Sequence, residues 1–227
     1  MVTLEGGQQA RSRFLCTAVG LLSAHTMPAI PGVESFLGPA YHPARWPHTP
    51  VDFSGKRVGI IGTGATAIQA IPEIAKQAKQ LTVFQRRPNW AAPLHNSKIG
   101  KPEMTASKAR YDAIYAHCAT TPMWFIHQAD PRKTLEVPPE EREAFWEKLY
   151  AEPGFGIWLG NFRDIGVSEK ANAAISDFIA RKIRQRVKDP AVAEKLIPKD
   201  HGFGSRRVPL ESGYFEAYNR DNVLLID

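Results

Sequence analysis

Arg57-Val58-Gly59-Ile60-Ile61-Gly62-Thr63-Gly64-Ala65-Thr66-Ala67-Ile68-Gln69 joins a short aliphatic run to a glycine turn and the start of an amphipathic segment. Residues 57–61 have the length and composition of a buried parallel strand. Over residues 65–79, Ile68, Ile71, Ile74, Ala75 and Ala78 recur at helical spacing, with Glu73, Lys76, Gln77 and Lys79 on the polar face. Residues 81–84, Leu-Thr-Val-Phe, read as a second strand. Strand, turn, helix and strand make a βαβ unit whose first turn carries G-x-G-x-x-A.

Each residue of that turn has a physical reason. Gly62 permits a sharp reversal out of the strand, and Gly64 lets backbone N–H groups approach a diphosphate. Ala67, standing for a third glycine, is small enough for helix and strand to pack closely. A diphosphate would rest on the free N–H groups and positive dipole end of the helix. Gly62, Thr63, Gly64, Ala65, Thr66, Ala67 and Gln69 are therefore candidate nucleotide contacts. The same motif also serves as a bare βα turn, but the flanking strand and helix favour the nucleotide. An NAD site usually ends its second strand with an acid that accepts the ribose 2′-hydroxyl. Here the strand ends Gln85-Arg86-Arg87. Two guanidiniums suit a 2′-phosphate, so NADPH is the expected nucleotide.

The chain has 227 residues, is 43% hydrophobic and carries a net charge of +6, enough material for one large domain or two small ones. Its basic residues do not form one run interleaved with aromatics, which argues against nucleic acid. A phosphate-bearing cofactor accounts for part of the excess. Cys16 and Cys118 lie far apart, without a CxxC or metal-type spacing, and read as free buried thiols of a reducing compartment. No metal site is expected. The apolar stretch 14–22 is too short for a bilayer and lacks the features of a signal peptide, so a cytoplasmic protein is expected.

Residues 2–5 and 13–20 read as strands around a Gly6-Gly7 hairpin turn. A two-stranded ribbon alone is marginal, so the start of the chain reads as the middle of a larger sheet. A proline-bearing linker follows. Residues 36–47, Phe-Leu-Gly-Pro-Ala-Tyr-His-Pro-Ala-Arg-Trp-Pro, must be loop, because Pro39, Pro43 and Pro47 exclude a helix or central strand. Phe36, Tyr41 and Trp46 call for a surface to bury against. Beyond Trp90, residues 104–118 and 139–151 have helical spacing, and 158–164 reads as loop. Ser168 caps a helix whose buried side is Ala171, Ala174, Ile175, Phe178, Ile179, Ile183 and Val187. Pro190 opens a last short helix to Leu196. Arg206-Arg207 sits in a glycine-bearing turn, and residues 223–226 begin a strand.

F-x-G-x-x-x-H-x-x-x-W-P, matched at Phe36, Gly38, His42, Trp46 and Pro47, resembles the fingerprint of the type I Baeyer–Villiger monooxygenases. The resemblance extends to Thr17-Ala18-Val19-Gly20, similar to the strand end beside the flavin, and to residues 214–223. It implies an α/β protein built on a Rossmann-type NADPH domain with a helical insertion, plus edges of an FAD domain. The boundaries it suggests are 1–35 for FAD-domain edge strands and 36–54 for the linker. The NADPH domain takes 55–221, with its insertion at about 100–197, and 222–227 begins a return to the FAD domain. NADPH and FAD are the implied cofactors, with a ketone and O2 as substrates, and the product is an ester or lactone. Arg86, Arg87 and Arg206 would take the 2′-phosphate, Gly20 would lie beside FAD, and Arg207 would be the active-site cation. The family's first G-x-G-x-x-G is not in this sequence, so the chain is expected to be an internal piece, inactive alone. An N- or S-oxidising flavin monooxygenase and a non-catalytic NADPH-binding module are the alternatives.

Overall fold

The computed structural model describes every residue except Leu21 and Ser23. The chain divides after Val51 into two units. In the first, β1 (Val2–Thr3) pairs antiparallel with β2 (Gln9–Ala10), Val2 opposite Ala10. Gly7, at φ 77°, donates its N–H to Leu4 O and closes the turn. The hairpin is therefore present, but its second strand is not at 13–20. A tight turn pairs the residues directly after it, and the chain leaves the ladder at Arg11. Phe14, Leu15 and Val19, which that strand would have packed, stand 83%, 67% and 73% exposed. The proline-rich segment forms only 3₁₀ turns, Val33–Ser35 and Pro43–Arg45. Phe36 is 65% exposed, and the Tyr41 and Trp46 rings, 5.5 Å apart, remain partly exposed, so the burial expected of these aromatics is not found. Nor are the thiols buried: Cys16 is exposed and Cys118 half-buried, both free.

The second unit opens with the βαβ unit: β3 (Arg57–Ile61), α1 (Ala65–Gln77) and β4 (Gln80–Phe84). Next come β5 (Ala92–Pro93) and the helices α2 (Lys101–Lys108), α3 (Tyr111–Cys118), α4 (Pro139–Ala151), α5 (Gly156–Leu159), α6 (Glu169–Arg186) and α7 (Pro190–Leu196). β6 (Leu210–Glu211), α8 (Tyr214–Ala217) and β7 (Val223–Ile226) complete it. β3, β4 and β7 form a parallel sheet in that order, with Ile60 opposite Val83 and Val83 opposite Leu225. β5 and β6 pair separately, also in parallel. Residues 222–227, expected to start a return to another domain, thus supply the third strand of this sheet.

β3 is not the fully buried strand its composition suggested. It lies at the sheet edge with β4 as its neighbour, and its burial alternates, leaving Ile61 65% exposed. The helical run over 104–118 breaks at Ala109-Arg110 into α2 and α3. Residues 156–159, at the edge of the expected loop, coil into the short α5. α6 follows its pattern closely: Ser168 Oγ accepts the Ala171 N–H, and Ala171, Ile175, Phe178, Ile179 and Ile183 are buried. The fully buried Ile68, Ile71, Leu81 and Val83 of the βαβ unit share one core with Trp146, Phe162 and Phe178 of the helices.

Candidate nucleotide-binding site

The glycine turn has the geometry a diphosphate needs. Gly62 takes φ 94°, a left-handed value that disfavours any Cβ, and gives its N–H to Phe84 O at 2.8 Å. Gly64 has ordinary dihedrals and caps α1, and a Cβ built there would meet nothing within 4 Å. The space in front of the helix N-terminus is therefore open. The first N–H groups of α1, at Ala65, Thr66 and Ala67, have no intrahelical acceptor and carry the positive end of the helix dipole. Ala67 packs half-buried on the core, as the close helix–strand contact requires. Thr63 is buried, and its Oγ1 donates to Arg87 O at 2.8 Å, tying the turn to the basic strand end. Gln69 is spent differently: its Nε2 donates to Leu210 O and joins α1 to β6.

The fold brings the two arginine doublets to one carboxylate. Asp200 Oδ2 lies 3.6 Å from Arg87 Nη1 and 3.4 Å from Arg206 Nη2. Asp200 Oδ1 accepts from His201 Nδ1 at 2.6 Å. His201 is held in turn: its side chain is 6% exposed, and its carbonyl accepts the Trp90 Nε1–H at 2.9 Å. The His201 hydrogen bond, ahead of the charges of His201 and Arg206, holds the Asp200 carboxyl below its usual range. Beside this cluster is a cavity of about 370 Å³ whose lining includes Arg86, Arg87, Lys195, Lys199, Asp200 and Asp227. Gln85, buried, locks the strand end by donating Nε2 to Lys195 O and Asp227 Oδ1, both at 2.8 Å.

Each doublet splits. Arg87 and Arg206 engage Asp200, whereas the exposed Arg86 and Arg207 side chains make no ion pair or hydrogen bond among the described residues. The sequence singles out all four arginines but gives no role to Asp200, His201 or Lys199, which the fold places beside them. The signal was present, as an acid flanked by a lysine and a histidine within a basic, glycine-bearing turn. Among the described residues no group of three or more His, Cys, Asp or Glu could hold a metal ion. No helix among them is long and apolar enough to cross a membrane.

In the first unit, Gly20 has φ 73° and open space where a Cβ would be. At Gly38 a Cβ would stand 2.7 Å from Phe36 Cζ, so a side chain there would displace the exposed ring. His42 caps the turn before Trp46-Pro47, its Nδ1 accepting the Ala44 N–H at 3.2 Å.

The family described as Flavin-binding monooxygenase-like matches residues 2–127. The 2-oxo-Delta(3)-4,5,5-trimethylcyclopentenylacetyl-CoA monooxygenase of Pseudomonas putida is 52% identical over 232 residues, covering 100% of this chain and 43% of that protein. The cyclohexanone 1,2-monooxygenase of Acinetobacter sp is 40% identical, covering 100% of this chain and 41% of that protein. The crystal structure of OTEMO complexed with FAD and NADP superposes with a TM-score of 0.91 at 53% identity, over 92% of this chain and 41% of the other. The chain thus spans about two fifths of the length of these relatives.

Proposed function

The chain belongs to the flavin-binding monooxygenase-like family, and from that premise we propose that it carries the NADPH site of a Baeyer–Villiger monooxygenase. Residues 55–221, with β7 (Val223–Ile226) completing their sheet, would be the Rossmann-type nucleotide domain with a helical insertion at about 100–197. Residues 1–35 would be edges of an FAD domain, and 36–54 the linker between them. The observation that carries the reading is the meeting of Arg87 and Arg206 on Asp200, beside the unpaired Arg86 and bonded through Thr63 to an open glycine turn. Those features fit a dinucleotide that has both a diphosphate and a 2′-phosphate.

Bound FAD supplies the hydride acceptance from NADPH and the activation of O2 that turn a ketone into an ester or lactone. This chain's residues do the holding. The N-terminus of α1 neutralises the diphosphate, and Arg86, Arg87 and Arg206 grip the 2′-phosphate. Arg207, which has no ion-pair partner among the described residues, offers a cation that does not titrate and can stabilise negative charge developing on oxygen. A ketone and O2 are the substrates this implies, with no nucleic-acid or membrane partner, and the reducing cytoplasm is the compartment that fits an NADPH-using enzyme.

The test is product analysis of a full-length, flavin-loaded version that includes these residues, given NADPH and a panel of ketones, amines and sulfides. Esters or lactones support the reading, and N- or S-oxides alone would replace it. Arg86→Ala is expected to raise the KM for NADPH about tenfold or more, the loss of a charged hydrogen bond, while leaving that for NADH nearly unchanged. Equal effects on both nucleotides would remove the 2′-phosphate assignment. Arg207→Ala should abolish ester formation while nucleotide binding persists.

A further inference from the structure

We propose that Asp200 is a positioning residue for nucleotide selection: its carboxylate gathers Arg87 and Arg206 from separate segments and presents them together to the 2′-phosphate. The proposal rests on the NADPH reading above and adds to it an acid in a site otherwise built of cations.

Arg206 lies on a turn with little rigidity of its own, since Gly202 and Gly204 flank Phe203 and Gly204 sits at φ 76°. The base of that turn, by contrast, is clamped onto α6. Asn172 Nδ2 donates to Phe203 O at 2.8 Å, and Phe203 donates its N–H to Ser176 Oγ at 2.9 Å. A Cβ at Gly202 would fall 1.7 Å from Asn172 Oδ1, so the backbone there lies directly against the helix. Trp90 holds the His201 carbonyl, and the buried His201 ring holds Asp200 Oδ1. The carboxylate is therefore aimed by a rigid base. Its Oδ2 is the only ion-pair partner of the Arg206 head among the described residues, and likewise of Arg87.

Two guanidiniums close together repel, and an acid between them offsets that repulsion. Each arginine spends one nitrogen on Asp200, at 3.4 and 3.6 Å, and a guanidinium has five N–H donors. The remaining donors are free for phosphate oxygens. Repulsion between the carboxylate and the incoming phosphate is weakened by water and salt, because the Asp200 side chain is 40% exposed. Around the phosphate, Arg86, Arg87, Lys195, Lys199 and Arg206 still outnumber Glu194, Asp200 and Asp227.

The experiment is calorimetric titration of the protein with 2′,5′-ADP and with 5′-ADP, which differ only in the 2′-phosphate. Asp200→Asn should weaken 2′,5′-ADP about three- to tenfold, the size of coupling expected between contacting charges, and leave 5′-ADP within twofold. Asp200→Glu should restore most of the loss. Asp200→Asn combined with Arg206→Ala should lose less than the product of the two single losses, because both remove the same arrangement. Tighter 2′,5′-ADP binding in Asp200→Asn would show that the acid competes with phosphate, and equal weakening of both probes would show a general scaffold role. Either result overturns the proposal, as does unchanged binding. Failure of the NADPH reading has its own signature: the unmodified protein would then bind the two probes alike, and both inferences would fall.

Discussion

Replacing Arg186 with methionine should destabilise this fold far more than removing any surface ion pair. Arg186 is the last residue of α6, and its guanidinium joins four elements. Nη1 lies 2.8 Å from Glu211 Oε1 of β6 and 3.0 Å from the Tyr150 hydroxyl of α4. Nε and Nη2 donate to Glu216 of α8 at 2.6 and 2.8 Å, and the guanidinium lies over the Phe215 ring at 5.0 Å. Burial works against the Arg186 charge, but the hydrogen bonds to Glu216 and the charge of Glu211 hold it on, and its pKa is raised. Glu211 is the critical partner, with a side chain 0% exposed. Its Oε2 accepts the Tyr214 N–H at 2.8 Å, whereas the Oε1 contact to Arg186 is short but poorly aligned as a hydrogen bond, so its attraction is mainly Coulombic.

In Arg186→Met that carboxylate stays buried without its cation, a loss worth about 3–5 kcal/mol. For a unit of this size each kcal/mol moves Tm by about 2–4 °C, so the drop should be roughly 6–20 °C. Arg181→Ala is the internal control. It breaks the Arg181–Glu143 pair, 48% and 44% exposed, and should cost only about 0–1 kcal/mol. The double variant Arg186→Met/Glu211→Gln should recover much of the loss, since the unpaired charge is then gone. Thermal unfolding followed by circular dichroism measures all three. If Arg186→Met melts with Arg181→Ala, the buried pair is not what fastens the helices to β6.

The two glycines of the turn should separate folding from binding. Gly62→Ala forces a Cβ onto φ 94° and should cost about 1–2 kcal/mol as well as nucleotide affinity, whereas Gly64→Ala, with open space and ordinary dihedrals, should melt normally yet bind dinucleotide poorly. Comparing Tm with 5′-ADP affinity decides this. Asn161, buried, accepts from Trp146 Nε1 at 2.9 Å and from the Phe162 N–H at 2.8 Å, so Asn161→Leu orphans two buried donors and should cost about 2–4 kcal/mol in urea unfolding. Burial pushes the Tyr214 and Tyr218 phenols up, Tyr214 further raised by Tyr218. A raised native pKa means that their stabilising share is whole below the ordinary tyrosine range, about pH 10, and is lost as pH rises through the native value. Absorbance titration near pH 10–11 should leave both silent until the chain unfolds, and ionisation of all six tyrosines in the folded state would contradict their burial.

How much was legible follows the range of the forces involved. The βαβ unit, the Ser168 cap and the buried face of α6 are set by contacts within a few residues, and periodicity and capping chemistry revealed them. β3 misled because an aliphatic strand reads as buried wherever it lies, and only the sheet order shows it at the edge. Residues 13–20 misled for a related reason: strand-like composition without a partner makes no strand. The arginine doublets lie between these cases. Composition marked them as candidate phosphate ligands but could not divide the labour within each pair. Which heads meet Asp200 shows only in the fold: it lies beside Arg87 and Arg206, distant in sequence from Arg87, and its Oδ1 is held by His201, whose carbonyl Trp90 fixes. Arg86 and Arg207 are left with their charge uncommitted, and a cation without a partner in its own unit is the kind available to an anion that arrives from outside it.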